Sequence, residues 1–214
     1  LLFVWLISVF AFPQNPNLGT SGAQFLKIPI GAKQTAMGGA VAGLTNDVSS
    51  VFWNPAGLAQ IKSYEAHFSY MKWFDMFDVN AAAIAFNADG IGVFTASALV
   101  LSMDKMEITT ETSPNGTGRF FDAQDMALAL SFARFLTDRF SVGLSVKYVY
   151  QRIWNETAEG VAFDIGTQYR LDFRNLTIAM SMTNFGPEMR FEGPDLDIVH
   201  DKDTRFPMSR LTPA

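Results

Sequence analysis

A regular alternation of apolar with small or polar side chains runs through the second half of the chain and restricts its fold to β-strands with two unlike faces. Residues 140–150 show it best, because even positions carry Phe, Val, Leu or Tyr while odd positions are mostly Ser, Gly or Lys. Successive side chains on a strand point to opposite faces. The same rule holds in residues 126–133, 161–166 and 176–183, and less strictly in residues 64–73, 79–87 and 91–101. We therefore expect an all-β fold of antiparallel strands.

The connections between these segments alternate in length. The links at residues 87–90, 135–139 and 171–175 are short, those at 74–77 and 155–160 are moderate, and those at 102–120 and 185–205 are long. Short turns at one end and longer loops at the other are typical of transmembrane β-barrels. A strand of residues 140–150 at a tilt of about 40° rises about 25 Å, which matches the apolar band of such a barrel. The alternative is a soluble β-sandwich with one wet face.

Three regions follow from the composition. Residues 1–11 form an apolar run that ends in Val9-Phe10-Ala11, which is typical of a partial secretory signal peptide, although a buried strand is the alternative. Residues 12–62 form a separate N-terminal segment, which we call the hatch, and residues 63–214 carry the strands. Residues 206–211 resemble the start of an eighth strand, so we expect a fragment of seven to eight strands from a larger barrel. A dimer of half-barrels is the alternative.

The hatch differs from the strands because it is rich in small residues and nearly uncharged. Asn46 or Asp47 is expected to cap a short helix that runs through Trp53 and is ended by Pro55. The inner faces of the strands have small side chains that leave room for such a segment. They are Ala127, Ala129, Ser131, Ala133, Ser141, Gly143, Ser145, Ala162 and Gly166. We therefore expect the hatch to fill the lumen of the barrel.

Seven polar side chains fall on the same inner face and are candidates for holding the hatch through hydrogen bonds. They are Glu65, His67, Asp125, Lys147, Gln151, Asp164 and Gln168. If strands pair symmetrically about their turns, Ala133 meets Ser141, Gln151 meets Asp164, and Gln168 meets Thr177 or Ala179. This register would group Lys147 with Asp125 and Gln168 in one polar cluster.

Several other functions are disfavoured. A net charge of −5 without a basic cluster argues against nucleic-acid binding, and the absence of cysteine from the sequence excludes disulfides and thiolate metal sites. His67 is expected to form a hydrogen bond in the lumen rather than bind metal. Residues 195–203 carry acidic residues and His200 but lack the pattern of a calcium loop, so a surface loop is favoured over a calcium site. No catalytic motif is recognised, so we expect no enzyme activity and no cofactor.

Two groups of motifs in the chain resemble a known family. The first is Gly31-Ala32-Lys33 with Gly38-Gly39, followed by Asp47 and by Asn54-Pro55-Ala56-Gly57-Leu58. The second comprises Gly116-Thr117-Gly118, residues 128–134 and residues 136–143. Together they are similar to the PorV/PorQ family of outer-membrane proteins, which are relatives of the FadL long-chain fatty acid transporters. The resemblance covers most of residues 19–186.

This resemblance implies a barrel of about fourteen strands with an N-terminal hatch in the bacterial outer membrane. It marks Gly38, Gly39, Asn54, Pro55 and Gly57 as the hatch motif. PorV-like members serve type IX secretion, where they bind the translocon and secreted substrates that carry a C-terminal signal domain. FadL-like members instead pass hydrophobic small molecules, whose site would lie between the hatch and the inner wall. We therefore expect a membrane lipid environment with protein partners, or alternatively a hydrophobic ligand in the lumen.

Overall fold

A seven-stranded antiparallel sheet forms most of the protein in a computed structural model, which describes residues 22–174 and 176–196. The sheet contains β1 (Tyr64–Trp73), β2 (Phe77–Ala88), β3 (Gly92–Met103), β6 (Ala123–Thr137), β7 (Phe140–Ile153), β8 (Glu156–Arg170) and β9 (Thr177–Phe185). These strands are neighbours in that order. Short strands β4 (Met106–Glu107) and β5 (Phe120–Phe121) pair separately in the β3–β6 connection. The predicted all-β antiparallel fold is confirmed.

The sheet is open in the described part of the chain, where β1 and β9 are its two edges. The turn end of the sheet, as we call it, carries the connections at residues 89–91, 138–139 and 171–176. The opposite loop end carries those at 74–76, 104–122 and 154–155. The two links that were predicted to be of moderate length are thus tight turns. The position predicted for one of them, residues 155–160, is wrong because β8 already begins at Glu156. Only residues 104–122 form a long connection between strands of the described part.

The two faces of the sheet differ as predicted. The outer face displays large apolar side chains, among them Phe68 at 71% exposure, Leu130 at 72% and Met180 at 69%. The inner face carries small residues, which are buried because the hatch covers them. In the described residues no helix is long and apolar enough to cross a membrane.

The predicted pairing of individual residues is partly wrong. Gln168 lies opposite Ala179, as one of the two alternatives predicted. Ala133 lies opposite Gly143 rather than Ser141, and Gln151 lies opposite Ala158 rather than Asp164. The errors are even numbers of residues, so every side chain keeps the predicted face. The reason is turn length: two residues join β6 to β7 and two join β7 to β8, whereas the predicted links at 135–139 and 155–160 are longer.

Short helices organise the hatch. They are the 3₁₀ helix η1 (Gln24–Lys27), the helix α1 (Ala32–Ala36), and the 3₁₀ helices η2 (Val48–Phe52) and η3 (Pro55–Gln60); η4 (Pro194–Leu196) follows the sheet. Asp47 caps η2 by accepting a hydrogen bond from the Ser49 N–H, so the predicted cap is confirmed. The helix is 3₁₀, and a second helix follows where Pro55 had been expected only to end the first.

Two apolar clusters join the hatch to the inner face. Near the turn end, Val48, Val51, Leu58 and Ile61 pack against small residues of β2, β3 and β6. Farther toward the loop end, Phe25 and Ile30 pack against β2, β3, β6, β7 and β8. Short 3₁₀ helices have poor internal hydrogen-bond geometry, so the hatch gains its order chiefly from this packing. The predicted signal peptide, most of the calcium-loop alternative and the predicted strand at residues 206–211 lie outside the described residues.

Candidate functional site

A notch in the inner face of the sheet, which we call the wall, receives the centre of the hatch motif. Gly143 on β7 lies directly opposite Gly166 on β8. A Cβ atom at Gly143 would overlap the carbonyl group of Pro55, and one at Gly166 would overlap Oδ1 of Asn54. The two glycines are therefore needed for close approach of the hatch backbone to the wall.

Asn54 joins three parts of the structure from this notch and is fully buried. Its Oδ1 accepts a hydrogen bond from the Ala56 N–H at 3.0 Å, which caps η3. Its Nδ2 donates to the Ala42 carbonyl at 2.8 Å within the hatch and to the Thr167 carbonyl at 3.3 Å in the wall. Pro55 follows at the first helical position, where its missing N–H costs nothing. Asn54 thus orients η3 and attaches it to β8 at once.

Gln168 is a second attachment between the wall and the hatch, near the turn end. Its Nε2 donates to the carbonyls of Ala42 at 2.9 Å and Thr45 at 3.2 Å. Its Oε1 accepts from Nε2 of Gln60 at 2.9 Å. The hydrogen-bonding capacity of this buried amide is therefore used on the hatch, as predicted for an inner-face polar residue.

Glu65 and Gln151 hold other parts of the hatch in the same way. Glu65 accepts a hydrogen bond from the Val48 N–H at 2.9 Å, at the start of η2. Gln151 accepts one from the Ala23 N–H at 2.7 Å, just before η1. Asp125 lies opposite Gln151 and is hydrogen-bonded to its side chain. Polar side chains of β1, β7 and β8 therefore bond directly to the hatch, and Asp125 on β6 supports Gln151.

Lys147 and Asp164 bind Asn184 on β9, whereas they had been predicted to hold the hatch. Lys147 Nζ lies 2.7 Å from Asp164 Oδ2 and donates a hydrogen bond to Asn184 Oδ1 at 2.7 Å. Asp164 Oδ1 accepts from the Asn184 N–H at 2.7 Å. Asn184 is left-handed, with φ of 59°, at a bulge that shifts the pairing of β8 and β9. The single cluster of Lys147 with Asp125 and Gln168 is thus wrong, because the three side chains lie at different levels of the sheet.

The remaining candidate is His67, which reaches the hatch through its ring. His67 is on the inner face and contacts the ring of Phe52, with ring centroids 6.3 Å apart. Its buried Nε2 has no hydrogen-bond partner among the described residues, so the predicted hydrogen bond is not formed at this atom. In the described chain no three His, Asp or Glu side chains are grouped to hold a metal ion.

The three glycines of the hatch motif serve its backbone. Gly38 and Gly39 have φ of 64° and 75° and lie just after α1, where their N–H groups donate to the carbonyls of Thr35 and Gln34. This left-handed ending of a helix favours glycine. Gly57 lies where η3 meets η2, and a Cβ there would overlap the Thr45 carbonyl. The motif therefore shapes the hatch, and only Asn54 and Pro55 touch the notch.

Sequence reasoning missed Gln60 and Asn184, although each is central to its hydrogen-bond group. A signal existed for η3, since Asn54-Pro55 is a typical cap followed by proline at the first helical position. No comparable signal marks Asn184, because its position depends on the bulge.

Two cavities lie between the hatch and the wall. One of about 470 Å³ opens along β1 and is lined by Lys33, Gln34, Asp47, Glu65 and His67 with their neighbours. The other, of about 200 Å³, lies at the turn end. Polar side chains contribute to both cavities, but only the smaller one has a mainly polar surface, whereas the surface of the larger one is mainly apolar.

Comparison with known proteins gives no family assignment. No protein-family model matches the chain, and no curated protein matches it either.

Proposed function

We propose that the chain belongs to an outer-membrane β-barrel whose hatch closes the lumen. The observation that carries the proposal is the outer face of the sheet, where apolar side chains stand exposed on successive strands. They include Phe68, Ile84, Leu130, Leu144, Val146, Phe163, Ile165, Ile178 and Met180. Soluble monomers rarely expose a continuous apolar patch of this kind. Lipid would cover it, and further strands would join the free edges of β1 and β9.

Aromatic side chains at the turn end support the same proposal. Tyr64, Phe86, Phe94 and Phe132 form a row across β1, β2, β3 and β6, with successive ring centroids 6.4, 5.5 and 5.0 Å apart. Phe140 and Tyr169 extend the aromatic band on β7 and β8. Barrels carry such girdles where the apolar band meets the headgroups. At the loop end Tyr148, Tyr150 and Trp154 are placed to form the second girdle.

We infer that the barrel is a protein-binding component of an export machine, which is the role that the resemblance to PorV implies. The long connection supports this, because residues 104–122 fold into an ordered ribbon around β4 and β5. Phe121 contacts Trp154, Arg119 lies over the same indole, and Asp122 pairs with Arg152 at 2.9 Å. Phe120 is left 55% exposed. A fixed ribbon with an exposed aromatic residue is suited to protein recognition.

The alternative is a FadL-like conduit for hydrophobic small molecules. That role needs an apolar cavity beside the hatch, since ligand sites for such molecules are lined mainly by hydrophobic side chains. Of the two cavities described above, the smaller has a mainly polar surface, and the larger has a mainly apolar surface that also includes the charged side chains of Lys33, Asp47 and Glu65. The export role therefore rests on the ordered ribbon.

A substitution in the ribbon tests the export role. We expect the full-length protein, purified in mild detergent from its own host, to carry a barrel partner or a secreted protein with a C-terminal signal domain. The variant Phe120→Asp should lose that partner because a charge replaces the exposed ring. Native mass spectrometry measures the retained partner. The control is Phe173→Asp, which changes another exposed ring, at the turn end. A bound fatty acid without any protein partner would support the conduit.

Labelling of single cysteines tests the orientation. The sequence contains no cysteine, so Asn115→Cys in the ribbon and Asp89→Cys at the turn end each introduce a single thiol in this chain. We expect a membrane-impermeant maleimide to label Asn115→Cys on intact cells and Asp89→Cys only after the outer membrane is permeabilised, because short turns face the periplasm. The reverse pattern would contradict the proposed topology.

A further inference from the structure

The smaller cavity is a cleft at the turn end where the hatch meets the wall. It has a volume of about 200 Å³. The hatch contributes Leu44, Asn46 and Gln60, and the wall contributes Ser141, Arg170 and Thr177. It lies on the inner side of the sheet, away from the ribbon at the loop end. Its chemistry is therefore independent of the export role.

Two arginines meet at this cleft. Arg139 belongs to the turn between β6 and β7, and Arg170 ends β8. The backbone N–H of Arg170 donates to the backbone carbonyl of Arg139 at 2.9 Å, so the two backbones are held side by side. Both side chains line the cleft. Both guanidinium groups carry a positive charge, so an anion bound between them would lower their mutual repulsion.

The existing partners of these arginines leave donors free. Arg139 forms an ion pair with Asp172, which lies outside the cleft. Arg170 donates to the neutral Oε1 of Gln60 at a long 3.3 Å, and no carboxylate pairs with it in the described part of the chain. A guanidinium group has five N–H donors, so most of them remain available on Arg170.

The positive charge available in this cleft belongs to Arg170. Arg139 and Arg170 contribute two positive charges to the lining and Asp138 one negative charge, and Asp172 balances Arg139 from outside the lining. Asn46, Ser141 and Thr177 add neutral hydrogen-bonding groups beside the two guanidinium groups. Gln60 is fixed by its hydrogen bond to Gln168, so it positions Arg170 at the mouth of the cleft.

We propose that this cleft binds a phosphate group, carried by a phospholipid headgroup or by a soluble phosphate. Guanidinium groups bind phosphate through paired N–H donors, which a point charge such as lysine cannot reproduce. The cleft lies on the inner side of the sheet but at the end of the strands, so a soluble phosphate would reach it directly and a lipid headgroup would reach it around the rim of the sheet.

Isothermal titration of the purified protein in detergent tests the proposal with two probes. These are inorganic phosphate and phosphatidylglycerol with six-carbon acyl chains. A titration with sodium chloride at equal ionic strength is the control for each probe. We expect one saturable site for at least one probe. Affinity should fall about tenfold or more in Arg170→Gln, since a charged bidentate partner is lost. Arg170→Lys should recover only part of it.

Arg174→Gln is the matched control, because Arg174 is an exposed arginine at the same end that stacks over Phe173 and does not line the cleft. The affinity of Arg174→Gln for each probe should stay within about twofold of the parent, because the loss of one exposed, screened charge outside the cleft has a small effect. Saturable binding of inorganic phosphate identifies a soluble source, and binding of the lipid alone identifies the headgroup. No saturable binding of either probe, or equal losses in Arg170→Gln and Arg174→Gln, would overturn the proposal. Equal unfolding temperatures without ligand show that a loss is not caused by misfolding.

Discussion

The variant Gly166→Ala is expected to destabilise the protein by about 3 kcal/mol, at the upper end of what overpacking costs. The added methyl group would overlap Oδ1 of Asn54 and come 2.9 Å from Cδ of Pro55. The hatch can avoid it only by leaving the notch, which would break the hydrogen bond from Asn54 to Thr167. Chemical unfolding of the protein in lipid vesicles, followed by tryptophan fluorescence, measures the loss.

A second substitution distinguishes this clash from a general effect of glycine replacement. Asn54→Gly removes Oδ1, so the double variant Asn54→Gly/Gly166→Ala should be more stable than the sum of the single effects predicts, by about 1 kcal/mol or more. Gly143→Ala is the matched control because its methyl group would meet the backbone of Pro55, which Asn54→Gly leaves in place. Additive effects at Gly166 and Asn54 would show that the notch is not the contact point.

The variant Leu130→Arg is expected to reduce stability in the membrane by about 2–4 kcal/mol, the cost of a cation at mid-bilayer on the lipid face of a barrel. Leu130 lies near the middle of the outer face and is 72% exposed, so the same substitution in a soluble protein would change stability by less than about 0.5 kcal/mol. Unfolding in lipid vesicles separates the two outcomes.

Ala88→Arg is the matched control for depth. Ala88 ends β2 at the turn end and shares the outer face with Phe86. An arginine there can reach the headgroups, so we expect a cost of at most about 1 kcal/mol. Small and equal effects at Leu130 and Ala88 would indicate a water-facing sheet.

The faces of the strands could be predicted because they depend only on the period of two along the chain. All seven inner-face polar residues lie on the predicted side, and β1 has the predicted bounds of Tyr64–Trp73. The start of β8 was harder to predict, since residues 156–160 contain only polar or small residues and resemble a loop. Backbone pairing continues past the apolar band, where exposed side chains have no need to be apolar.

The grouping of the polar side chains could not be predicted. It depends on how far each strand is shifted against its neighbour, and the shift follows from turn lengths that the apolar pattern does not define. Asn54 and Gln168 both donate to the Ala42 carbonyl, and Gln168 also donates to the Thr45 carbonyl. Every residue has a carbonyl, so the sequence carries no mark of which one is used.

The notch has a consequence for the order in which the protein acquires its structure. Asn54 precedes every described strand in the chain, yet its wall contact at Thr167 lies 113 residues farther along. Closing such a large loop is slow compared with forming local turns. The hatch therefore cannot reach its final conformation until β7 and β8 are paired, and it is expected to be among the last parts of the chain to gain protection from hydrogen exchange during refolding. A segment that precedes the described strands in the chain is thus among the last parts to fold.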